Sequence, residues 1–223
     1  MLAAFRSRCH LCLLGLCLPL VALIAVDSAA ARAKPPARTI LVVGDSLSAE
    51  YGLPRDTGWV SRLSERLLRQ EPQYSVVNAS ISGDTTSGGR SRLPALLQKF
   101  EPDIVVLELG ANDGLRGLDL DQMRSNLQAM IDACHAARAR VLLVGIRIPP
   151  NYGRDYSERL FENYAVLARN NRIERVPFLL EGFADRIDLF QPDHIHPGEQ
   201  AQALMLDNVW PKLRPMLHLS KAR

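Results

Sequence analysis

A serine, a histidine and an aspartate of the sequence have the side-chain types that nucleophilic catalysis needs. Ser46 ends the run "ILVVGDS", and Asp193 and His196 stand three residues apart in "PDHIHPG". A serine hydroxyl attacks a carbonyl only when a neighbouring base takes its proton, and the pKa of histidine lies near neutrality. A carboxylate then holds the imidazole in the correct tautomer. We predict Ser46 as nucleophile, Asp193 and His196 as its partners, and His194 as the alternative base.

Acyl transfer also needs hydrogen-bond donors for the oxyanion of the tetrahedral intermediate. Gly83, in "NASISGDTT", could offer its backbone N–H at the start of a helix, where the helix dipole favours negative charge. Asn112, in "LGANDG", could offer a side-chain N–H. The backbone N–H of Ser46, which we expect to enter a helix, is the third candidate donor.

The elements that must position these residues alternate between short apolar runs and helical patterns. Such alternation predicts right-handed β-α-β units, and therefore an α/β fold: a three-layer α/β/α sandwich around a parallel sheet. The predicted strands are 39–44, 74–80, 103–110, 140–148 and 175–179. The predicted helices are 57–70, 84–100, 119–138, 155–170 and one after residue 196.

The candidate residues follow the predicted strands in order. Ser46 comes after the first strand, Gly83 after the second and Asn112 after the third, and "PDHIHPG" lies before the last helix. Ligands of open parallel sheets bind beyond the carboxyl ends of the strands. The sequence therefore predicts that all of these side chains meet at one edge of the sheet.

Residues 1–33 have the layout of a secretory signal. Two arginines precede a long apolar run, and "ARA" at 31–33 suits a signal peptidase. We therefore expect a single domain at 34–223, in the periplasm or secreted, with no membrane span after cleavage. Residues 1–33 hold three arginines, one aspartate and three of the four cysteines. Without them the net charge falls from +3 to +1, and Cys134, expected to be buried, has no disulfide partner.

Several other classes of protein lack support in the sequence. No run of Lys and Arg suggests a nucleic-acid groove. There is no G-x-S-x-G elbow, no phosphate-binding loop and no H-E-x-x-H zinc motif. Two histidines and one aspartate within 193–196 make a weak metal site without a further ligand. We expect no cofactor, no metal and no nucleic-acid partner, and we expect a monomer.

Four motifs together resemble the SGNH/GDSL hydrolase family. They are "GDSL" (44–47), "NASISGDT" (78–85), "GAND" (110–113) and "DHIH" (193–196). The segment "PPNYG" (149–153) is similar to the multifunctional acyl hydrolases of the bacterial periplasm and to related arylesterases. The resemblance covers essentially all of 34–223. It implies a five-stranded, flavodoxin-like sheet, the triad of Ser46, Asp193 and His196, and an oxyanion hole made by Ser46, Gly83 and Asn112.

The resemblance implies hydrolysis of small acyl esters and thioesters, such as aryl esters and lysophospholipids. Leu115 and Leu118, in the loop 112–123, could line an acyl channel or could simply pack the loop. Pro149 and Tyr152 could border the leaving group or could form a rigid turn. A carbohydrate acetylesterase with the same triad is the alternative enzyme. An inactive binding protein on a flavodoxin-like frame is the alternative outside enzymes.

Overall fold

A five-stranded parallel sheet lies at the centre of the part of the chain that the structure describes. The computed structural model describes residues 38–218, so the predicted signal segment lies outside the described residues. The sheet has the strand order β2-β1-β3-β4-β5, and every pair is parallel. The strands are β1 Arg38–Gly44, β2 Tyr74–Asn78, β3 Ile104–Glu108, β4 Arg140–Val144 and β5 Glu174–Val176. The predicted α/β class is confirmed.

The central strand β1 is apolar because both of its faces are covered. Residues 40–43 have no exposed surface, and neither do residues 104–107 of the neighbouring β3. Val42 pairs with Asn78 of β2 on one side and with Val106 of β3 on the other. A strand buried on both faces needs a continuous apolar run instead of an alternating one, which is the pattern of "ILVV".

Residues 38–218 form six α-helices, and the five longer ones cover the two faces of the sheet. On one face α1 packs against α6, and on the other α4 packs against both α2 and α5, which gives the predicted three layers. The helices are α1 Trp59–Gln70, α2 Thr86–Phe100, α3 Ala111–Leu115, α4 Leu120–Ala136, α5 Arg154–Asn171 and α6 Gln202–Leu217. Short 3₁₀ turns lie at Pro150–Tyr152, Ile187–Leu189 and Glu199–Ala201.

Two differences from the predicted elements concern the carboxyl edge of the sheet. The fourth strand ends at Val144 instead of residue 148, because its partner β5 pairs only with residues 142–144. Residues 146–148 then line a cleft above the sheet. The predicted loop 112–123 begins inside the short helix α3, so Asn112 stands in a helical turn.

Candidate active site

Ser46, His196 and Asp193 form a continuous chain of hydrogen bonds at the carboxyl edge of the sheet. Ser46 Oγ lies 2.9 Å from His196 Nε2, although the two residues are 150 positions apart in sequence. His196 Nδ1 lies 2.7 Å from Asp193 Oδ2. In this arrangement the imidazole can accept the serine proton on one nitrogen while the carboxylate orients the other.

The turn that carries Asp193 also sets its charge. The backbone N–H groups of Ile195 and His196 donate to Asp193 Oδ1 over 2.9 and 3.0 Å. Partial burial by itself would raise the pKa of Asp193, but the backbone N–H and imidazole of His196 and the backbone N–H of Ile195 lower it to about 2. Asp193 is therefore ionised at neutral pH. The neighbouring His194 has a left-handed backbone (φ 57°) and lines the cleft, while His196 contacts Ser46.

Ser46 stands in a turn, so the expectation that its N–H enters a helix is wrong. The backbone N–H of Ala49 donates to the Asp45 carbonyl over 2.9 Å, and helix α1 begins only at Trp59. The turn does not continue as a helix, because Glu50 at its end has a left-handed backbone, with a φ of 57°. The tight turn directly after β1 leaves the Ser46 side chain half-buried beside the cleft.

The carboxylate of Glu50 ties this turn to the first helix. It accepts hydrogen bonds from the backbone N–H of Gly58 over 2.8 Å and from the Ser61 hydroxyl over 2.7 Å. The next residue, Tyr51, places its ring centroid 4.5 Å from that of the His196 imidazole. The turn after the proposed nucleophile thus also packs against the proposed base.

Asn112 is held at the start of α3 with both of its amide hydrogens engaged. Its Nδ2 donates to Asp45 Oδ2 over 3.2 Å and to the Asp84 carbonyl over 3.0 Å. Gly110, directly before α3, has a φ of 123°, and a Cβ there would collide with the Tyr164 hydroxyl. Only glycine fits at this position, so the entry of the chain into α3 is fixed.

The segments that carry Gly83 and Asn112 are bonded to each other. Gly83 has a φ of 79°, and its carbonyl accepts a hydrogen bond from Arg116 over 2.9 Å. Asp113 accepts from the backbone N–H of Thr86 over 2.8 Å and from its hydroxyl over 2.6 Å. A carboxylate at the N-terminus of α2 is also favoured by the helix dipole. These bonds hold the two candidate donor segments side by side.

Two buried carboxyl groups, neither of them among the residues predicted from the sequence, lie beside the turn that carries Ser46. Asp45 and Glu108 have no exposed surface. Glu108 Oε2 accepts from the Ser48 hydroxyl over 2.7 Å, while no group among residues 38–218 bonds to Oε1. Burial raises the pKa of both groups, and the proximity of Asp45 raises that of Glu108 further, well above its ordinary value. A glutamate inside the apolar run "DIVVLELG" was the available signal.

A cleft of about 1000 Å³ opens beside the Ser46–His196 pair. Among the residues predicted to bind substrate, Leu115, Pro149 and Tyr152 line it. Leu118 does not line the cleft and is 42% exposed, and its carbonyl accepts a hydrogen bond from Tyr156. Gly83 is likewise not among the lining residues. The apolar part of the wall consists of Leu47, Ala111, Leu115, Ile146, Ile148, Phe178, Leu180, Ala184, Ile195 and Phe190.

Residues 38–218 give little support for a metal site, a reactive cysteine or a membrane-spanning helix. Within 38–218, no three His, Cys, Asp or Glu side chains are grouped closely enough to hold a metal ion. Cys134 is buried in α4, and burial raises the pKa of its thiol to about 12, so it is a poor nucleophile. None of the helices between residues 38 and 218 combines the length and the apolarity needed to cross a membrane.

A parallel α/β sheet with serine, histidine and aspartate in contact at its carboxyl edge is an arrangement found in serine hydrolases. Residues 42–204 match the GDSL-like lipase/acylhydrolase family. The chain belongs to this family and is an ester-hydrolysing enzyme.

Characterised proteins of similar sequence and structure carry related names. Esterase TesA of Pseudomonas aeruginosa is 50% identical over 181 residues, which are 81% of this chain and 90% of that protein. Thioesterase 1/protease 1/lysophospholipase L1 of Escherichia coli strain K12 is 39% identical over 201 residues, which are 90% of this chain and 93% of the relative. The psychrotrophic esterase EstA of Pseudoalteromonas sp., solved with monoethylphosphonate as inhibitor, has a TM-score of 0.77 and 39% identity, covering 82% of this chain and 100% of EstA.

Proposed function

We propose that the protein is an acyl ester and thioester hydrolase that works through an acyl-enzyme on Ser46. The observation that carries this proposal is the chain of hydrogen bonds from Ser46 Oγ through His196 to Asp193, of 2.9 and 2.7 Å. His196 takes the proton of Ser46 as Oγ attacks the carbonyl carbon of the ester. Asp193, ionised at neutral pH, stabilises the imidazolium that forms.

Two half-reactions then complete the turnover. The imidazolium of His196 gives its proton to the leaving alkoxide or thiolate, and the acyl group remains as an ester on Ser46. Water enters in place of the leaving group, His196 takes a proton from it, and hydroxide attacks the acyl-enzyme. Collapse of the second tetrahedral intermediate returns the proton to Ser46 and releases the carboxylic acid.

The backbone N–H groups of Ser46 and Gly83 and the side chain of Asn112 are the proposed oxyanion donors. The Ser46 and Gly83 N–H groups make no hydrogen bond with residues 38–218 and are available to an incoming oxygen. Asn112 already donates to the Asp84 carbonyl and to Asp45. In the proposed reaction the Asn112 N–H that now donates to the Asp84 carbonyl donates to the oxyanion instead, while the hydrogen bond to Asp45 keeps the amide in place.

Medium to long acyl chains are the proposed acyl part of the substrate. A cleft of about 1000 Å³ with a largely apolar wall exceeds what an acetyl group fills, which favours an acyl hydrolase over a carbohydrate acetylesterase. The name of the E. coli relative joins thioesterase and lysophospholipase. The leaving groups proposed here are thiols, aryl alcohols and the glycerol part of lysophospholipids.

The proposed location is the periplasm or the outside of the cell, after removal of residues 1–33 as a signal peptide. The support is the order of basic, apolar and small residues in that segment. Fractionation of cells that express the full chain, with N-terminal sequencing of the recovered protein, tests both claims. A cytosolic protein that keeps its first residues would contradict them.

The test of the activity uses protein expressed from the full chain and its Ser46→Ala variant. Both are assayed on p-nitrophenyl esters from acetyl to palmitoyl, near neutral pH, with EDTA present. We expect turnover by the wild type, with longer chains preferred over acetyl, and a loss of about 10³-fold or more in the variant. A fluorophosphonate should label Ser46 in the wild type and nothing in Ser46→Ala. Equal rates of the two proteins would refute the assignment.

A further inference from the structure

Arg147 is a cation of the cleft wall that the proposed mechanism does not use. It lies just beyond the end of β4, is exposed and lines the same cleft as Ser46. Its guanidinium carbon lies 3.6 Å from the ring centroid of Phe161 and 5.9 Å from that of Phe178. Among residues 38–218 it makes neither a side-chain hydrogen bond nor an ion pair.

The carboxylates that share the cleft with Arg147 do not form an ion pair with it. Asp193 belongs to the triad, and Glu158 forms an ion pair of 3.0 Å with Arg154. Asp185, the third carboxylate of the wall, lies within 4.0 Å of no basic nitrogen of residues 38–218, and the neighbouring Arg186 pairs with Asp188. Arg147 therefore presents a positive charge to the cleft that no carboxylate of the wall takes up in an ion pair.

The stacking of the Arg147 guanidinium on the Phe161 ring leaves its N–H donors free. An aromatic ring attracts the face of a guanidinium group, while the N–H groups lie in the guanidinium plane and point away from the ring. Such a group is held in place before any ligand arrives, so less side-chain entropy is lost on binding. Its planar fork of donors matches the oxygens of a phosphate group, which it can bind through two parallel hydrogen bonds.

Arg175 is a second arginine beside the Phe161 ring, and it serves as a comparison for Arg147. Its guanidinium carbon lies 5.8 Å from the Phe161 ring centroid, farther away than that of Arg147. It donates to the Pro177 carbonyl over 3.2 Å and does not line the cleft. Arg147 and Arg175 thus share an aromatic neighbour, but only Arg147 faces the space that a substrate would occupy.

We propose that Arg147 binds a phosphate group carried by the alcohol or thiol half of the substrate, so that the enzyme selects phosphate-bearing esters. This inference rests on the proposed function. The acyl half of the substrate is apolar and packs on the apolar wall of the cleft. The anion that binds Arg147 therefore belongs to the leaving group. The substrate class is that of lysophospholipid-like esters, and the shared chemistry is a phosphate group on a short polar leaving group.

The experiment compares two esters that differ only in the phosphate, 1-octanoyl-glycerol and 1-octanoyl-glycerol 3-phosphate. The proteins are the wild type, Arg147→Met, Arg147→Lys and the matched control Arg175→Met. We expect Arg147→Met to lower kcat/KM for the phosphorylated ester by about 10- to 100-fold, the range for a hydrogen-bonded charge, and to leave the neutral ester unchanged. Arg147→Lys should keep part of the preference, and Arg175→Met all of it. Added salt should reduce the preference of the wild type.

Other outcomes would overturn the proposal in distinguishable ways. An equal loss on both esters in Arg147→Met would make Arg147 a packing residue. If inorganic phosphate inhibited both esters through Arg147 while the wild type showed no preference between them, the site would bind free phosphate and not substrate. If no protein hydrolysed either ester, or the p-nitrophenyl esters above, the proposed function itself would fail.

Discussion

The side chain of Asn112 donates a hydrogen bond to Asp45, the residue directly before Ser46, over 3.2 Å. The other carboxylate oxygen of Asp45 accepts the backbone N–H of Leu47 over 3.0 Å, directly after Ser46. One buried carboxyl group therefore holds the proposed oxyanion donor and the turn that presents the proposed nucleophile. This arrangement makes Asp45 a positioning residue that does not itself meet the substrate.

Replacing Asp45 should lower the rate of ester hydrolysis, because Asp45 no longer holds the side chain of Asn112 in place. In Asp45→Ala the amide of Asn112 loses one of its two partners, so we expect kcat to fall by roughly 10- to 100-fold with little change in KM. Asn112→Ala removes the donor itself and should cost about 10²- to 10³-fold. Asp45→Asn keeps one acceptor oxygen but sets an NH2 group against the other of the two donors, Asn112 and the Leu47 N–H, so it should recover only part of the activity. Steady-state kinetics on one p-nitrophenyl ester measures all three.

The double variant Asp45→Ala/Asn112→Ala separates positioning from general damage to the fold. If Asp45 acts only by holding Asn112, the double variant should be no slower than Asn112→Ala alone. If the fold-losses in kcat of the two single variants multiply in the double variant, the two residues act independently.

Asp193→Asn should lower kcat/KM by about 10³- to 10⁴-fold, because an amide stabilises neither the correct tautomer nor the imidazolium of His196. The pKa of Asp193 is about 2, so ionisation of Asp193 should leave no step in the wild-type pH–rate profile above about pH 4. The control is His194→Asn, since asparagine tolerates the left-handed backbone there. It should keep nearly full activity. A collapse of activity in His194→Asn together with an active Asp193→Asn would contradict the triad of Asp193 and His196 and favour His194 as the base.

Glu108→Gln should change how stability depends on pH. Burial and the nearby Asp45 raise the pKa of Glu108 in the folded protein, so the folded state keeps a proton that the unfolded chain loses above about pH 4.3. The stabilisation from this proton is complete below that pH and is lost as the pH rises towards the folded-state pKa, by up to about 1.4 kcal/mol per pH unit. Glutamine removes this dependence, so the variant should gain stability relative to the wild type with rising pH.

Urea unfolding at a series of pH values from mildly acidic to mildly alkaline measures the difference. Glu174→Gln, which changes an exposed carboxylate on β5, is the control and should follow the wild type. Parallel curves for Glu108→Gln and the wild type would mean that Glu108 is ionised in the folded protein across this range.

Leu115 and Leu118 offer a matched pair for testing where the acyl chain lies. Leu115 lines the cleft, whereas Leu118 is exposed and does not. Leu115→Trp should fill part of the cleft and shift the preferred p-nitrophenyl ester towards shorter chains, with a loss of about tenfold or more on palmitoyl. Leu118→Trp should leave the chain-length profile unchanged. A shift in Leu118→Trp alone would place the acyl chain along the outer side of the loop.

The parallel sheet could be predicted because each strand is a local pattern. Strands buried on both faces need continuous apolar runs, and β1 and β3 have them. The ends of the strands were harder to predict, since pairing stops where the neighbouring strand stops. Residues 146–148 are Ile, Arg and Ile, an alternating pattern typical of a strand, but β5 is too short to pair with them. The turn after Ser46 was mistaken for a helix start because the left-handed backbone of Glu50 leaves little trace in the sequence.

The sequence by itself determined which chemistry is available. It offered a serine and candidate oxyanion donors after the first three strands, and an aspartate and a histidine in the loop before the last helix. Only the tertiary structure decided which side chains face that edge together. Burial raises the pKa of Asp45 and Glu108, aromatic rings orient Arg147, and cleft geometry separates Leu115 from Leu118. These properties depend on neighbours far away along the chain, and the distances between such neighbours are set by packing and not by local sequence.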